Sequence, residues 1–281
     1  MHSEEPERVF PFGREWLRHF AMKGKEGGPG TPQAGNANAV KVRRVLQVTA
    51  DLASRPMGDL RILDAGCGEG VYAIEAALRR ARIVAIDART ERMSRGIECA
   101  EKHGLTNIEF RMEDVRSVSK ESHQEFDVVF LLGILYHLDV PDVFHVLENV
   151  HELCREFVII DTFISPLGDE EAEYGGRVYS GRKVREHEDG DSAEVRRGRV
   201  LRSLDNTFAF RFTRDSLVRV LSDVGFTSVY ECLAPPEPLK PPDRITLVAH
   251  KGAGVRISTY PWINPLSEEQ IEDYLRETGG E

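Results

Sequence analysis

The residues best suited to chemistry crowd into one run, Ile62-Leu63-Asp64-Ala65-Gly66-Cys67-Gly68-Glu69-Gly70, where an apolar strand leads into an acid, three alternate glycines and a helix. Glycine is needed where backbone must pass close to a ligand or adopt φ > 0. The helix that follows offers unpaired N–H groups at the positive end of its dipole. Dinucleotide-binding turns share that outline, but two details separate this one. The spacing is G-x-G-x-G rather than G-x-G-x-x-G, and Asp64 precedes the first glycine. A carboxylate there repels a pyrophosphate, whereas it accepts a hydrogen bond from an ammonium group. Cys67 reads as a small wall residue rather than a nucleophile.

Further acids follow at strand ends. Asp87 closes a second strand 23 residues after Asp64, where a carboxylate can accept both hydroxyls of a ribose. Glu113 and Asp114 follow a third strand, placed to accept from an adenine amine. Taken singly, Asp87 and Asp114 could be ordinary helix caps. Taken in order, the three loops meet a cationic amino acid, a ribose and an adenine, which together describe S-adenosylmethionine. All three sit at the carboxyl edge, where open α/β sheets bind ligands.

On these motifs the chain resembles the Rossmann-like (class I) S-adenosylmethionine-dependent methyltransferases. ILDAGCGEG is similar to their first motif, IVAID (83–87) to the acidic second and EDV (113–115) to the third. FDVVFLLGILYHL (126–138) is similar to the fourth motif and its extension. The resemblance spans roughly residues 40–165 and, more loosely, 207–250. It implies that Asp64, Gly66, Gly68 and Gly70 line the methionine portion of the donor, with Cys67 as a wall. It implies too that Asp87 with Ala88 holds the ribose, that Asp114 with Glu113 and Val115 holds the adenine, and that Leu132 and Gly133 flank the donor. The implied fold is α/β, a Rossmann-like seven-stranded sheet, mostly parallel with only the last strand antiparallel. Helices cover both faces, with an N-terminal helical arm and an insertion after the fifth strand. The implied cofactor is S-adenosylmethionine, leaving S-adenosylhomocysteine as product.

Displacing a methyl group from a positively charged sulfur depends first on in-line alignment. An acceptor that must lose a proton is helped by a positioned base. His137, just past the fourth strand tip, is the candidate, because imidazole is a suitable base near neutrality. Its neighbour Tyr136 would wall the sulfonium or hydrogen-bond the acceptor, with plain packing as the competing role for both.

The elements that must position these residues alternate. Strands are expected at 60–65, 82–87, 107–112, 127–132 and 157–163, with helices at about 38–55, after the glycine turn, at 91–103 and at 141–154. Near-continuous apolar strands alternating with helices imply a parallel sheet covered on both faces. Residues 1–38 form an arm or lid with Phe12, Trp16 and Phe20 on one helical face, and 39–252 the methyltransferase domain. Within that domain 166–205 is a charged substrate-side insertion holding a hairpin. A helix at 213–224 and strands at 228–233 and 245–250 complete the domain. Residues 253–281 form a tail whose helix starts at the Ser267 capping box.

Composition narrows the partners. The 281 residues are 41% hydrophobic and 30% charged, and 37 Lys plus Arg face 47 Asp plus Glu for a net charge of −10. That balance suits a globular protein and disfavours a large nucleic-acid footprint. No apolar run approaches the ~18 residues of a membrane span, and the N-terminus lacks the order of a secretory signal. Four scattered cysteines without a CxxC pair argue against zinc and against a disulfide framework. A cytoplasmic monomer or homodimer is expected, with no membrane partner and no metal. Trp16, Asp161 at the end of the fifth strand, and Tyr174, Tyr179 and Arg182 of the insertion are the candidate acceptor contacts. The insertion's arginines point to an anionic small molecule methylated at oxygen or nitrogen, unless the acids around them neutralise them. GILYHL also looks like tRNA wobble-uridine carboxymethyltransferases, so RNA is a second reading. A non-catalytic S-adenosylmethionine-binding regulator is a third, because binding and catalysis share the same residues.

Overall fold

Side chains that alternate in direction along apolar strands must be covered on both sides, and that requirement organises the fold. The computed structural model describes residues 32–234, 236–237 and 240–253, together with 267, 269, 272, 273 and 276. In chain order it begins α1 (Pro32–Leu52), β1 (Arg61–Ala65), α2 (Val71–Leu78), β2 (Arg82–Asp87) and α3 (Thr90–Lys102). Next come β3 (Ile108–Met112), β4 (Phe126–Leu132), α4 (Asp142–Leu153) and β5 (Cys154–Phe163). The seven-stranded sheet is completed by β9 (Ser228–Glu231) and β10 (Arg244–His250), in the order β3-β2-β1-β4-β5-β10-β9. The pairs among β1 to β5 are parallel, and β10 runs antiparallel to both β5 and β9. Only β10 is therefore reversed, as the motifs imply.

Each central strand feeds two cores. Leu63, Val129, Leu131, Val158 and Ile160 face one cluster, while Ile62, Val128, Phe130, Phe157 and Ile159 face the other. α4 and α6 (Arg214–Asp223) cover the first face, and α1 and α2 the second. β1 lies between β2 and β4, so the direction of winding reverses beside it. Such a switch point opens a crevice at the carboxyl ends of the strands.

Between β5 and α6 the chain folds β6 (Glu170–Tyr174), β7 (Arg177–Arg185), the short α5 (Ala193–Gly198) and β8 (Phe208–Phe212). These strands make a separate antiparallel sheet, β6-β7-β8. The expected hairpin is β6–β7, and β8 extends it beyond residue 205. Ala172, Tyr179, Phe210 and Phe212 bury against Phe144 of α4, which docks the insertion on the main core. The arm with Phe12, Trp16 and Phe20 lies outside the described residues. Of the tail, Glu269, Glu272, Asp273 and Arg276 are helical. Among the described residues no helix is long and apolar enough to cross a membrane.

Candidate functional site

After β1 the chain turns through Gly66, Gly68 and Gly70 at φ of 77°, 56° and 75°, the left-handed region that side chains with a Cβ avoid. The turn is stitched to the tip of β2. Gly66 and Cys67 N–H groups donate to the Ile86 carbonyl at 2.9 and 2.8 Å, and Gly68 N–H donates to Asp87 Oδ2 at 3.0 Å. Asp87 Oδ1 accepts from Arg89 N–H at 2.9 Å. A carboxylate has about four acceptor positions, so each oxygen keeps capacity for a hydroxyl. Gly70 N-caps α2 and packs on Phe110 instead of lining the crevice.

Asp64 sits under this turn, 1% exposed, and its Oδ2 has no hydrogen-bond partner. Burial first, then the like charge of Asp87, push its carboxyl up to about 7 against the Ala73 N–H bond that favours the charged form. A buried acceptor without a donor is uncommon in folded proteins. The missing donor is one that a bound cation would bring. Cys67 is likewise buried, and burial raises its thiol well above the ordinary range, which keeps it out of nucleophilic chemistry.

At the third loop Glu113 N–H donates to the Asp87 carbonyl at 3.0 Å. Asp114 caps the 3-10 turn Val115–Ser117 through Arg116 N–H and pairs with the Arg116 guanidinium at 2.6 Å. Arg116 also reaches Asp142 and Asp205. The capping role considered for Asp114 is thus present, on a residue that also faces the crevice.

The crevice holds about 380 Å³. It brings together Asp64, Gly66, Cys67, Gly68, Asp87, Ala88, Glu113, Asp114, Val115, Leu132, Gly133, Tyr136 and His137. Tyr136 and His137 ride a 3-10 turn, Leu135–His137, directly after β4. His137 Nδ1 lies 3.1 Å from Glu186 Oε2. Glu186 is 3% exposed, and the same oxygen accepts from Ser203 N–H at 2.7 Å. Burial pushes Glu186 up, but the contact with His137 and the Ser203 N–H outweigh it and hold the carboxyl below its ordinary value. The insertion grips the turn twice more. Asn206 Nδ2 donates to the His137 carbonyl at 3.0 Å, and Phe210 N–H to the Leu138 carbonyl at 2.8 Å.

Several expected acceptor contacts lie elsewhere. Tyr179 falls on the inward side of β7, is 2% exposed and donates its hydroxyl to Asp223 at 2.8 Å. Tyr174 stacks on Phe144 and donates to Glu148 at 2.6 Å. Arg182 points to solvent beside Asp169. None of the three lines the crevice, because β7 and β6 spend their inward faces on the core. Asp161 is fully buried beneath it, accepting from Arg244 Nε at 2.6 Å and Thr246 Oγ1 at 2.8 Å, with Lys41 at 3.5 Å. Burial alone would push Asp161 up, but Lys41 and Arg244 hold it below the ordinary carboxylate value. Trp16 is outside the described residues.

The insertion's arginines are also largely spent locally, Arg177 on Asp223, Arg185 on Asp189 and Arg199 on Asp191. Arg202 of the insertion does line the crevice. Other cations reach it from outside the insertion: Lys41 of α1, Arg244 of β10, Arg116, Arg89, and Arg92 of α3. Sequence reading missed these, along with Tyr72, Glu186 and Asn206. Glu186 sits in the charged run Arg185-Glu186-His187-Glu188-Asp189, which is indistinguishable from solvated surface until the fold buries it.

Residues 57–176 match a family described as a methyltransferase domain. The chain is similar to a ubiquinone biosynthesis O-methyltransferase of Methylocella silvestris, 43% identical over 89 residues, 31% of this chain and 34% of that protein. A namesake from Paracidovorax citrulli is 32% identical over 100 residues, 36% of this chain and 41% of that protein. The alignments thus span little more than a third of the length of these relatives. In fold, the chain is similar to the N-terminal domain of EvdMO1 crystallised with S-adenosylhomocysteine and D-fucose, at TM-score 0.60 and 21% identity, covering 85% of this chain and 94% of that one. A magnesium protoporphyrin IX methyltransferase from Synechocystis with bound S-adenosylmethionine gives TM-score 0.53 at 15% identity, covering 86% and 94%.

Proposed function

With residues 57–176 belonging to the class I S-adenosylmethionine-dependent methyltransferases, we propose that this chain is an enzyme that methylates a hydroxyl of a small, anionic acceptor. The observation that carries the donor half is Asp64. A 1%-exposed carboxylate with an unpartnered oxygen, aimed into a crevice beside a glycine turn, fits the α-ammonium group of S-adenosylmethionine. Asp87 keeps acceptor positions for the ribose hydroxyls, and Asp114 with Glu113 and Val115 stands where the adenine would end. Leu132 and Gly133 close the crevice between these acids and the Tyr136–His137 turn.

The bound donor supplies a methyl group on a positively charged sulfur, so the chain's own work is alignment, exclusion of water and removal of the acceptor's proton. Tyr136 is held edge-on against Phe163 with its ring flanked by Arg211 and Arg244. That packing makes it a rigid wall beside His137, the proton acceptor.

Charge supports the anionic acceptor by a different route from the insertion's arginines. Around Asp161 and Glu237 four cations gather, Lys41, Arg44, Lys240 and Arg244. Two of them, Lys41 and Arg244, also line the crevice. The donor's carboxylate would balance one and an anionic acceptor the other. The relatives' printed activity, O-methylation in ubiquinone biosynthesis, and the D-fucose in the structural neighbour both support a hydroxyl.

The test is calorimetric titration of the protein with S-adenosylmethionine and S-adenosylhomocysteine, with Asp87→Ala as control. Micromolar binding that weakens at least tenfold in the variant is expected. Binding of neither ligand would remove the donor site and the activity with it.

A further inference from the structure

The site's proton chemistry is set by a residue outside the crevice. We propose that Glu186 is a positioning residue that makes His137 a base, and that the acceptor atom is therefore one that must lose a proton. This rests on the methyltransferase reading above and goes beyond it in naming the group that orients the base.

Three observations lead there. First, Glu186 is a nearly fully buried carboxylate, 3% exposed, far from the surface role its charged neighbours suggest. Burying an ion is costly unless its partners compensate. Here the compensation comes from His137 and the Ser203 N–H, both on Oε2. Second, an ionised carboxylate only accepts, so the His137 nitrogen facing it at 3.1 Å, Nδ1, must carry the hydrogen. The lone pair of the neutral ring is then on Nε2, which has no partner among the described residues, on a side chain lining the crevice. Third, the backbone that carries the ring is held in place, because Asn206 Nδ2 and Phe210 N–H bond the carbonyls of His137 and Leu138. All of these contacts come from the insertion and the strand after it.

Such a pair is superfluous for an acceptor that is already an anion, such as a carboxylate, and serves one that is not. The hydroxyl proton passes to Nε2 while the oxygen bonds the methyl carbon. The methyl–sulfur pair stays on sulfur, giving the neutral thioether. Glu186 balances the imidazolium until it returns the proton to water.

The geometry also supplies a discriminating test. Because one oxygen receives both donors, Glu186→Gln can place its carbonyl oxygen at the same point, keeping both bonds and losing only the charge. Glu186→Ala loses both. In the wild type, 15N spectra of the imidazoles should show His137 protonated at Nδ1, assigned by loss of the signal in His137→Ala. Glu186→Gln should keep that tautomer and melt no higher than the wild type, since the fold favours the ionised carboxylate. Glu186→Ala should show mixed tautomers. Calorimetric affinity for S-adenosylmethionine should stay within about twofold in both variants, because Glu186 does not line the crevice. A wild-type His137 protonated at Nε2, or a tautomer unchanged in Glu186→Ala, would overturn the proposal. Loss of donor binding in the wild type would instead sink the methyltransferase reading while leaving the tautomer result standing.

Discussion

Replacing Asp64 by Asn isolates the charge buried beneath the donor turn. The carboxyl is pushed from 3.8 to about 7 by burial and by Asp87, and each tenfold in an ionisation constant is worth about 1.4 kcal/mol. Between these two values the unfolded chain releases a proton that the folded protein retains. The folded state then binds more protons, and stability must fall as pH rises. Below about pH 4 the residue contributes nothing to this effect, and above about pH 7 the full penalty of roughly 4 kcal/mol applies to the protein without ligand. At pH 5 the penalty is roughly 2 kcal/mol by the same relation. Asn carries no charge at either pH, so other titrating groups cancel between variant and wild type. Urea unfolding of both proteins at pH 5 and pH 8 should show the advantage of Asp64→Asn growing by about 2–3 kcal/mol, read from midpoints at constant slope. Saturating S-adenosylmethionine at pH 8 should stabilise the wild type and leave the variant unmoved. A gap that stays flat between the two pH values would refute the argument that Asp64 is an uncompensated buried acid awaiting a cation.

Two other perturbations read different parts of the site. His137→Ala should keep donor affinity by calorimetry while lowering turnover about 10²-fold or more in the acceptor assay, and a wild-type rate would return His137 to packing. Gly96→Ala should weaken both fold and donor binding, because a Cβ there would lie 2.6 Å from the Glu69 carbonyl of the glycine turn and 2.9 Å from the Phe110 ring. Overpacking of about 1–3 kcal/mol then outweighs the helix propensity gained, about 1 kcal/mol. Unchanged urea midpoint and unchanged affinity would show that the turn can yield.

The sheet was legible because its strands carry period and punctuation together. β2 spans Arg82–Asp87 as expected, and β4 differs by a single residue at its start. β5 begins at Cys154 rather than Phe157, because Cys154 pairs with Phe126 across an irregular register. The strand at 208–212 was missed although Phe208, Phe210 and Phe212 recur at strand period. It adjoins a charged stretch and is only five residues long. Site residues on strand tips came from motif spacing and meet in the crevice. Lys41, Glu186 and Arg244 did not, since each matters through a partner 49 to 120 residues away, and no local pattern encodes such a distance.

Asp161 has a consequence for how the protein is made. Its carboxylate is fully buried, yet its own segment provides no cation to neutralise it. Lys41 is synthesised long before it, but Arg244 and Thr246 emerge 83 and 85 residues later. The strand carrying them must slide between β5 and β9, sealing an edge that until then presents unpaired backbone groups. Residues up to about 140 contain the donor half of the crevice and can assemble during elongation. The side of the crevice that Arg244 lines waits for the last strand. A nascent chain stalled before Arg244 would therefore hold an open sheet edge and an internal anion met by Lys41 without Arg244 or Thr246, a combination suited to chaperone capture rather than to catalysis.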